Sequence, residues 1–203
     1  MKKTDNPVRM FFLLFVVALI VWLIFNMGNQ LSITKLNSAE FNSVIEENNI
    51  GLIGHLQTNK VRQLLGNTVL IHSIDSIRLA DTIDTEARKK GIHVDGLLEI
   101  NIAKEASKYG FLEEELYEVL PIFARYKNLH IKGLMTIAPN VEKSEENRKN
   151  FEKIKKISVD IIEKNYDNVE VEFLSMGMSG DYTVALEEGA NLVRVGTGIF
   201  GKR

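Results

Sequence analysis

Residues 171–201 read VEFLSMGMSGDYTVALEEGANLVRVGTGIFG, and this stretch decides the fold class. It holds two short apolar runs, Val171–Met176 and Leu192–Val195. A helical pattern from Ser179 to Glu188, closed by Gly189, separates them. Two strands joined by a helix form a βαβ unit, whose strands lie parallel in one sheet. The stretch therefore predicts a parallel α/β fold.

The same alternation runs through the preceding part of the chain. Four further apolar runs are Gly51–Ile53, Thr68–Ile71, Val94–Ile102 and His130–Ile137. The helical patterns between them run from an expected N-cap at Asp75 to Lys90, from Leu112 to Arg125, and from Ser144 to Lys164. Strands that alternate with helices in this way predict βαβ units and a parallel sheet, the arrangement found in a parallel β/α barrel.

Small or polar residues follow each apolar run. They include His55, His72, Asn101, Thr136 and Arg194. The loops at the carboxyl ends of barrel strands form the functional face of that fold, so these side chains are expected to share one site. The alternative, that polar residues only mark where strands stop, stays open.

Two glycine-rich loops follow the last two predicted strands. One covers residues 175–181 and the other residues 194–201. Glycine lets the backbone approach an anion closely, and exposed N–H groups supply donors to it. The hydroxyls of Ser175, Ser179 and Thr197 add further donors. The pair of loops predicts a phosphate site, although each loop taken alone is equally typical of a tight turn.

Composition excludes several classes of function. The chain has no cysteine, which rules out thiolate catalysis and cysteine-bound metal. Its four histidines show no HExxH spacing, so we expect no metal site. The net charge of −2 gives no reason to expect a nucleic-acid partner.

The N-terminal residues differ in composition from the rest. Residues 8–27 are almost wholly apolar and, as a helix, would span roughly 30 Å, the thickness of a bilayer core. Lys2, Lys3 and Arg9 precede them. We therefore predict that residues 1–30 form a membrane anchor with a short basic N-terminus, and that the protein is membrane-anchored. A buried core helix is the alternative.

A set of motifs resembles the YggS-like pyridoxal phosphate homeostasis proteins, whose barrel is similar to the N-terminal domain of alanine racemase. In chain order the motifs are IGHLQTNK (53–60), HSIDS (72–76), LLEINIAKEASKYGF (97–111), GLMTIAP (133–139), SMGMSGD (175–181) and VRVGTGIFG (193–201). The resemblance covers residues 51–203. It implies a (β/α)8 barrel of the TIM type that binds pyridoxal 5′-phosphate (PLP) without turnover. Because about six of the eight strands are recognisable, we expect this barrel to be incomplete.

The resemblance also implies roles for individual residues. The PLP phosphate would lie on Ser175, Ser179, Gly196 and Thr197, and Arg194 would face the pyridine nitrogen. An arginine at that place keeps the nitrogen unprotonated, which weakens the cofactor as an electron sink. The pocket would also be lined by His55 and Asn101.

The chain departs from the family pattern before residue 51. Family members carry the PLP-binding lysine on a first strand and a GEN motif on a second, and no GEN motif is present here. One interpretation takes residues 31–50 as a degenerate first β/α unit with Lys35 as the Schiff-base lysine. The other takes them as a linker, because residues 1–50 resemble the N-terminus of membrane-anchored AAA+ zinc proteases. We favour the second, since it explains the apolar segment and residues 31–50 together.

The sequence leaves three functions to compare. We expect a monomeric, non-catalytic PLP homeostasis protein whose PLP affinity is reduced by missing barrel strands. A racemase needs a second acid/base, which alanine racemases take from a further domain. Because the chain ends at Arg203, we do not expect racemase activity. The remaining alternative is a membrane-anchored fusion or truncated gene product with no functional PLP site.

Overall fold

The computed structural model describes residues 51–201, which form one six-stranded parallel sheet. The strands are Gly51–Leu52 (β1), Leu70–Ile74 (β2), Val94–Ile100 (β3), Leu129–Thr136 (β4), Val169–Met178 (β5) and Leu192–Arg194 (β6). Each strand pairs with the next one along the chain, which is the order of a TIM-type barrel. The prediction of this α/β fold with six strands is confirmed. Whether the barrel is incomplete also depends on residues before Gly51, so that part stays a prediction.

Helices follow the strands. They are Val61–Leu64 (α1), Ile77–Lys90 (α2), Glu113–Phe123 (α3), Arg148–Lys164 (α4), Tyr182–Glu187 (α5) and Thr197–Phe200 (α6), with 3-10 turns at Thr58–Lys60 and Ser144–Asn147. The N-cap of α2 is Ser76, whose hydroxyl accepts from the backbone N–H of Leu79. The predicted cap at Asp75 was wrong because that carboxylate is bound to His55 instead.

The two faces of the sheet have different chemistry, and strand register shows which residues share a face. Leu98, Leu134 and Leu174 are aligned on β3, β4 and β5 and belong to the hydrophobic core under the helices. The next row along the same strands is Glu99, Met135 and Ser175, which points to the opposite, inner face. The inner face of the sheet therefore carries the polar side chains of Glu99 and Ser175.

The two longest helices each bury one apolar stripe. On α4 the buried residues Phe151, Ile154, Ile157 and Ile161 recur every three or four positions, as expected for an amphipathic helix. On α2 the corresponding residues are Leu79, Ile83 and Ala87. These stripes cover the outer face of the sheet and leave the inner face to the site.

The expected membrane anchor is not supported. Residues 8–27 lie outside the described residues, as do Lys35 and residues 31–50. Across residues 51–201, no helix combines the length and apolar character needed to cross a bilayer, since even the 17-residue α4 has a charged face. We therefore correct the prediction of a membrane-anchored protein with the membrane as a partner.

Candidate functional site

A cavity of about 330 Å³ opens at the carboxyl ends of the strands. Three of the predicted site residues line it: His55 after β1, Asn101 after β3, and Arg194 at the end of β6. The polar residues that follow separate strands thus meet in one place. Its other polar lining residues are Glu99, Ser107, Lys108 and Tyr109.

Arg194 lies beneath the cavity and connects three strands. Its Nη1 donates to the carbonyl and the hydroxyl of Ser175, both at 2.8 Å, and its Nη2 donates to the carbonyl of Thr136 at 2.6 Å. Its Nε is buried and has no hydrogen-bond partner within residues 51–201. Burial lowers the pKa of Arg194 to about 10, while Glu99 and Asp181 act in the opposite direction. The guanidinium is therefore a fixed cation at neutral pH.

Ser175 is part of this buried cluster. Its side chain is fully buried, and its hydroxyl pairs with Nδ1 of His72 at 3.2 Å as well as with Arg194. Burial, and then the charge of Arg194, lower the pKa of His72 to about 3, so the imidazole is neutral. Ser175 supports the floor of the site in this arrangement.

Ser179 connects the two glycine-rich loops. Its hydroxyl oxygen accepts from the backbone N–H of Gly196 at 3.0 Å and from that of Gly198 at 3.1 Å. The turn itself is held by Asp181, whose carboxylate accepts from the backbone N–H of Met178 at 2.7 Å. Thr197 lies in the second loop and is exposed. The structure thus brings Ser179, Gly196 and Thr197 together in loops that also contain the cavity-lining residues Met178 and Arg194. These three residues and Ser175 do not themselves line the cavity.

Asn101 organises the loop that forms one wall of the cavity. Its amide nitrogen donates to the carbonyl of Glu105 at 2.9 Å, and its oxygen accepts from the N–H of the same residue at 3.1 Å. Within this loop Lys108 forms an ion pair with Glu105 at 2.6 Å and donates to the carbonyl of Ile137 at 3.3 Å. The walls that follow β3 and β4 are therefore connected.

A stacked pair of rings lies at the rim. The rings of His55 and Tyr109 are 3.8 Å apart at an interplanar angle of 11°. Nδ1 of His55 lies 2.6 Å from a carboxylate oxygen of Asp75, which orients the imidazole. The contact joins the loop after β1 to the loop after β3.

Glu99 is a site residue that the sequence analysis missed. It projects to the inner face in the same row as Ser175, lines the cavity and is only 7% exposed. Burial, and then the charge of Asp75, raise the pKa of Glu99 to about 7, with Arg194 acting in the opposite direction. The available signal was a lone carboxylate inside the apolar run 94–102.

Comparison with known proteins agrees with this geometry. The family model for the alanine racemase N-terminal domain matches residues 34–203. A pyridoxal phosphate homeostasis protein of Aquifex aeolicus is 46% identical over 151 residues, which cover 74% of this chain and 65% of that protein. One from Synechocystis sp. is 38% identical, over 74% of this chain and 68% of that protein.

The chain belongs to this family of pyridoxal phosphate homeostasis proteins.

Solved structures give the same result for the fold. PipY of Synechococcus elongatus, solved with PLP bound, has a TM-score of 0.70 and 30% identity, over 80% of this chain and 76% of that one. Alanine racemase of Clostridium difficile, at 16% identity and a TM-score of 0.62, shares the fold alone. The chain spans 65% of the length of its Aquifex aeolicus relative.

The family match extends the domain towards the N-terminus. It begins at residue 34, so it includes Lys35 and most of residues 31–50. The resemblance of the sequence to pyridoxal phosphate homeostasis proteins is thereby confirmed. Lys35 itself lies outside the described residues.

Proposed function

We propose that this chain binds PLP at the carboxyl ends of its strands and acts in PLP homeostasis. Several homologues bear the name pyridoxal phosphate homeostasis protein, and the related PipY was solved with PLP bound. The observation that carries the proposal is the position of Ser179. Its hydroxyl connects two glycine-rich loops, which contain the cavity-lining residues Met178 and Arg194.

The described residues fit a phosphorylated pyridine. Ser179, Gly196 and Thr197 would hold the phosphate in the two loops, with Ser175 below them, because hydroxyls and backbone N–H groups are good donors to phosphate oxygens. The buried Nε–H of Arg194, which has no partner within residues 51–201, is a donor suited to the ring nitrogen. His55 and Asn101 would shape the opposite walls of the cavity.

We further propose that the protein holds PLP without turning over a substrate. Bound PLP supplies an aldehyde and a ring that can accept electrons. Arg194 remains protonated at neutral pH, so it would donate a hydrogen bond to the ring nitrogen and would not protonate it. A ring nitrogen kept in this state is a weak electron sink. The site is therefore suited to storage and transfer of the cofactor.

Lys35 is proposed as the covalent anchor, with residues 31–50 as the first β/α unit of the barrel. The family match, which starts at residue 34, supports this assignment over the linker interpretation. The lysine amine and the PLP aldehyde would condense with loss of water. Borohydride then reduces the resulting double bond and fixes the adduct for peptide mass spectrometry.

The trapping experiment has a clear expected result. The protein should acquire one pyridoxyl group, located on Lys35, and Lys35→Arg should abolish it. Lys104→Arg is the matched control, because Lys104 is an exposed loop residue paired with Glu114. Scattered labelling of surface lysines that persists in Lys35→Arg would contradict the assignment of Lys35.

A further inference from the structure

Glu99 is a buried acidic residue whose negative charge is only partly compensated by the residues around it. Its side chain is on the inner face, is only 7% exposed and lines the cavity. Burial of a carboxylate is unfavourable for folding, and here burial raises the pKa of Glu99 to about 7. Its position in the wall of the site points to an effect on what binds there.

The charges that face Glu99 do not neutralise it. The positive charge of Arg194 on β6 acts on Glu99, but both Nη atoms of Arg194 are engaged by Thr136 and Ser175. On β2, His72 is neutral because burial holds its pKa at about 3, and Asp75 beyond it is of like sign.

The loops facing Glu99 offer no free cation either. Lys108, in the loop after β3, is paired with Glu105, and His55, after β1, is paired with Asp75.

We infer that Glu99 is a specificity-determining residue, which disfavours ligands that bring a carboxylate into the cavity while it admits PLP itself. The inference rests on the proposed function. The charge of PLP lies on its phosphate, in the loops after β5 and β6. The α-carboxylate of a PLP–amino acid adduct would instead extend into the cavity lined by Glu99. Two like charges that share a partly buried site repel each other, which weakens binding by a factor of about ten or more.

Two stable ligands isolate this effect. N-(5′-phosphopyridoxyl)alanine and N-(5′-phosphopyridoxyl)ethylamine differ only in the carboxylate. Neither forms a bond to a lysine, so both are also compared in a Lys35→Gln background, where the free amine of the proposed anchor cannot attract the carboxylate. For the wild-type chain at pH 8 we expect the ethylamine compound to bind at least about tenfold more tightly. In Glu99→Gln the ratio of the two dissociation constants should fall to within about threefold.

The pH dependence gives a second test of the same residue. The pKa of Glu99 is about 7, so the carboxylate is mostly ionised at pH 8 and mostly protonated at pH 6. The wild-type ratio should therefore shrink at pH 6, whereas the ratio for Glu99→Gln should not change. Glu170→Gln is the matched control, because Glu170 is an exposed residue of β5 paired with Lys132, and it should keep the wild-type ratio.

The outcomes separate the inference from the function on which it rests. If PLP and the ethylamine compound bind but the ratio is the same in Glu99→Gln as in the wild type, the role of Glu99 is refuted and PLP binding stands. If the wild-type chain binds neither PLP nor the ethylamine compound, the proposed function fails and the inference fails with it.

Discussion

Removal of the Ser179 hydroxyl should weaken both the fold and the cofactor site. The hydroxyl oxygen accepts two backbone N–H groups, from Gly196 at 3.0 Å and from Gly198 at 3.1 Å. A typical hydrogen bond contributes about 0.5–1.5 kcal/mol to stability, so Ser179→Ala should lower the free energy of unfolding by about 1–3 kcal/mol. Because Gly198 is exposed, its backbone N–H can bind water once the hydroxyl is removed, so we expect a loss in the lower half of that range.

Urea unfolding followed by circular dichroism measures this loss. With a slope of about 2 kcal/mol/M, a loss of 2 kcal/mol shifts the midpoint by about 1 M. Thr183→Ala is the matched control, since it removes an exposed hydroxyl from α5 and should change stability by less than about 0.5 kcal/mol. Saturating PLP should stabilise the wild type by about 2.7 kcal/mol at a hundred times its dissociation constant.

The same addition of PLP should stabilise Ser179→Ala clearly less. If Ser179→Ala unfolded at the wild-type urea concentration and gained as much from PLP, the role given to Ser179 in tying the two loops would be wrong.

Three further predictions concern the sheet, the buried histidine and the cavity wall. Gly133→Ala should lower the free energy of unfolding by more than about 3 kcal/mol, because a Cβ there would lie 2.0 Å from the carbonyl oxygen of Phe173. Gly66→Ala, where a Cβ meets nothing within 4 Å, should lower it by only about 1 kcal/mol in the same urea titration. The pKa of His72 is lowered from 6.5 to about 3 in the folded state, so the unfolded state binds one more proton between these values and stability falls as pH falls through that range. The wild type should lose about 2 kcal/mol of unfolding free energy through His72 between pH 6.5 and 5, and His72→Leu should abolish this part of the loss. If the unfolding free energy of His72→Leu depended on pH as in the wild type, the low pKa assigned to His72 would be refuted. Asn101→Ala should speed hydrogen exchange in the loop after β3 while β3 itself stays protected, and an unaltered loop would show that the amide does not hold it.

The fold class was predictable because it depends on local periodicity. Residues 171–201 contain a whole βαβ unit, and the other strands and helices repeat its pattern. His55, Asn101 and Arg194 were predictable for a related reason, since each follows or ends an apolar run and parallel strands place their carboxyl ends together.

Other parts of the site depend on contacts that local patterns do not show. The significance of Glu99 comes from the register that aligns it with Ser175, and the sequence of one strand alone does not determine its register with the next. Tyr109 reaches the rim because the loop is folded around Asn101 and because His55 lies opposite. The cap of α2 shifted by one residue for a similar reason, since Asp75 binds a histidine 20 positions earlier.

The role of the phosphate loops is tested most directly by comparing PLP with pyridoxal, which lacks the phosphate, in equilibrium binding to the full chain. Spectrophotometric titration under the same conditions gives both dissociation constants. We predict one PLP bound per chain, with an affinity at least about a hundredfold higher than that for pyridoxal, because the loops that follow β5 and β6 would hold the phosphate. Equal affinities for the two compounds, or no saturable binding of PLP, would contradict the account.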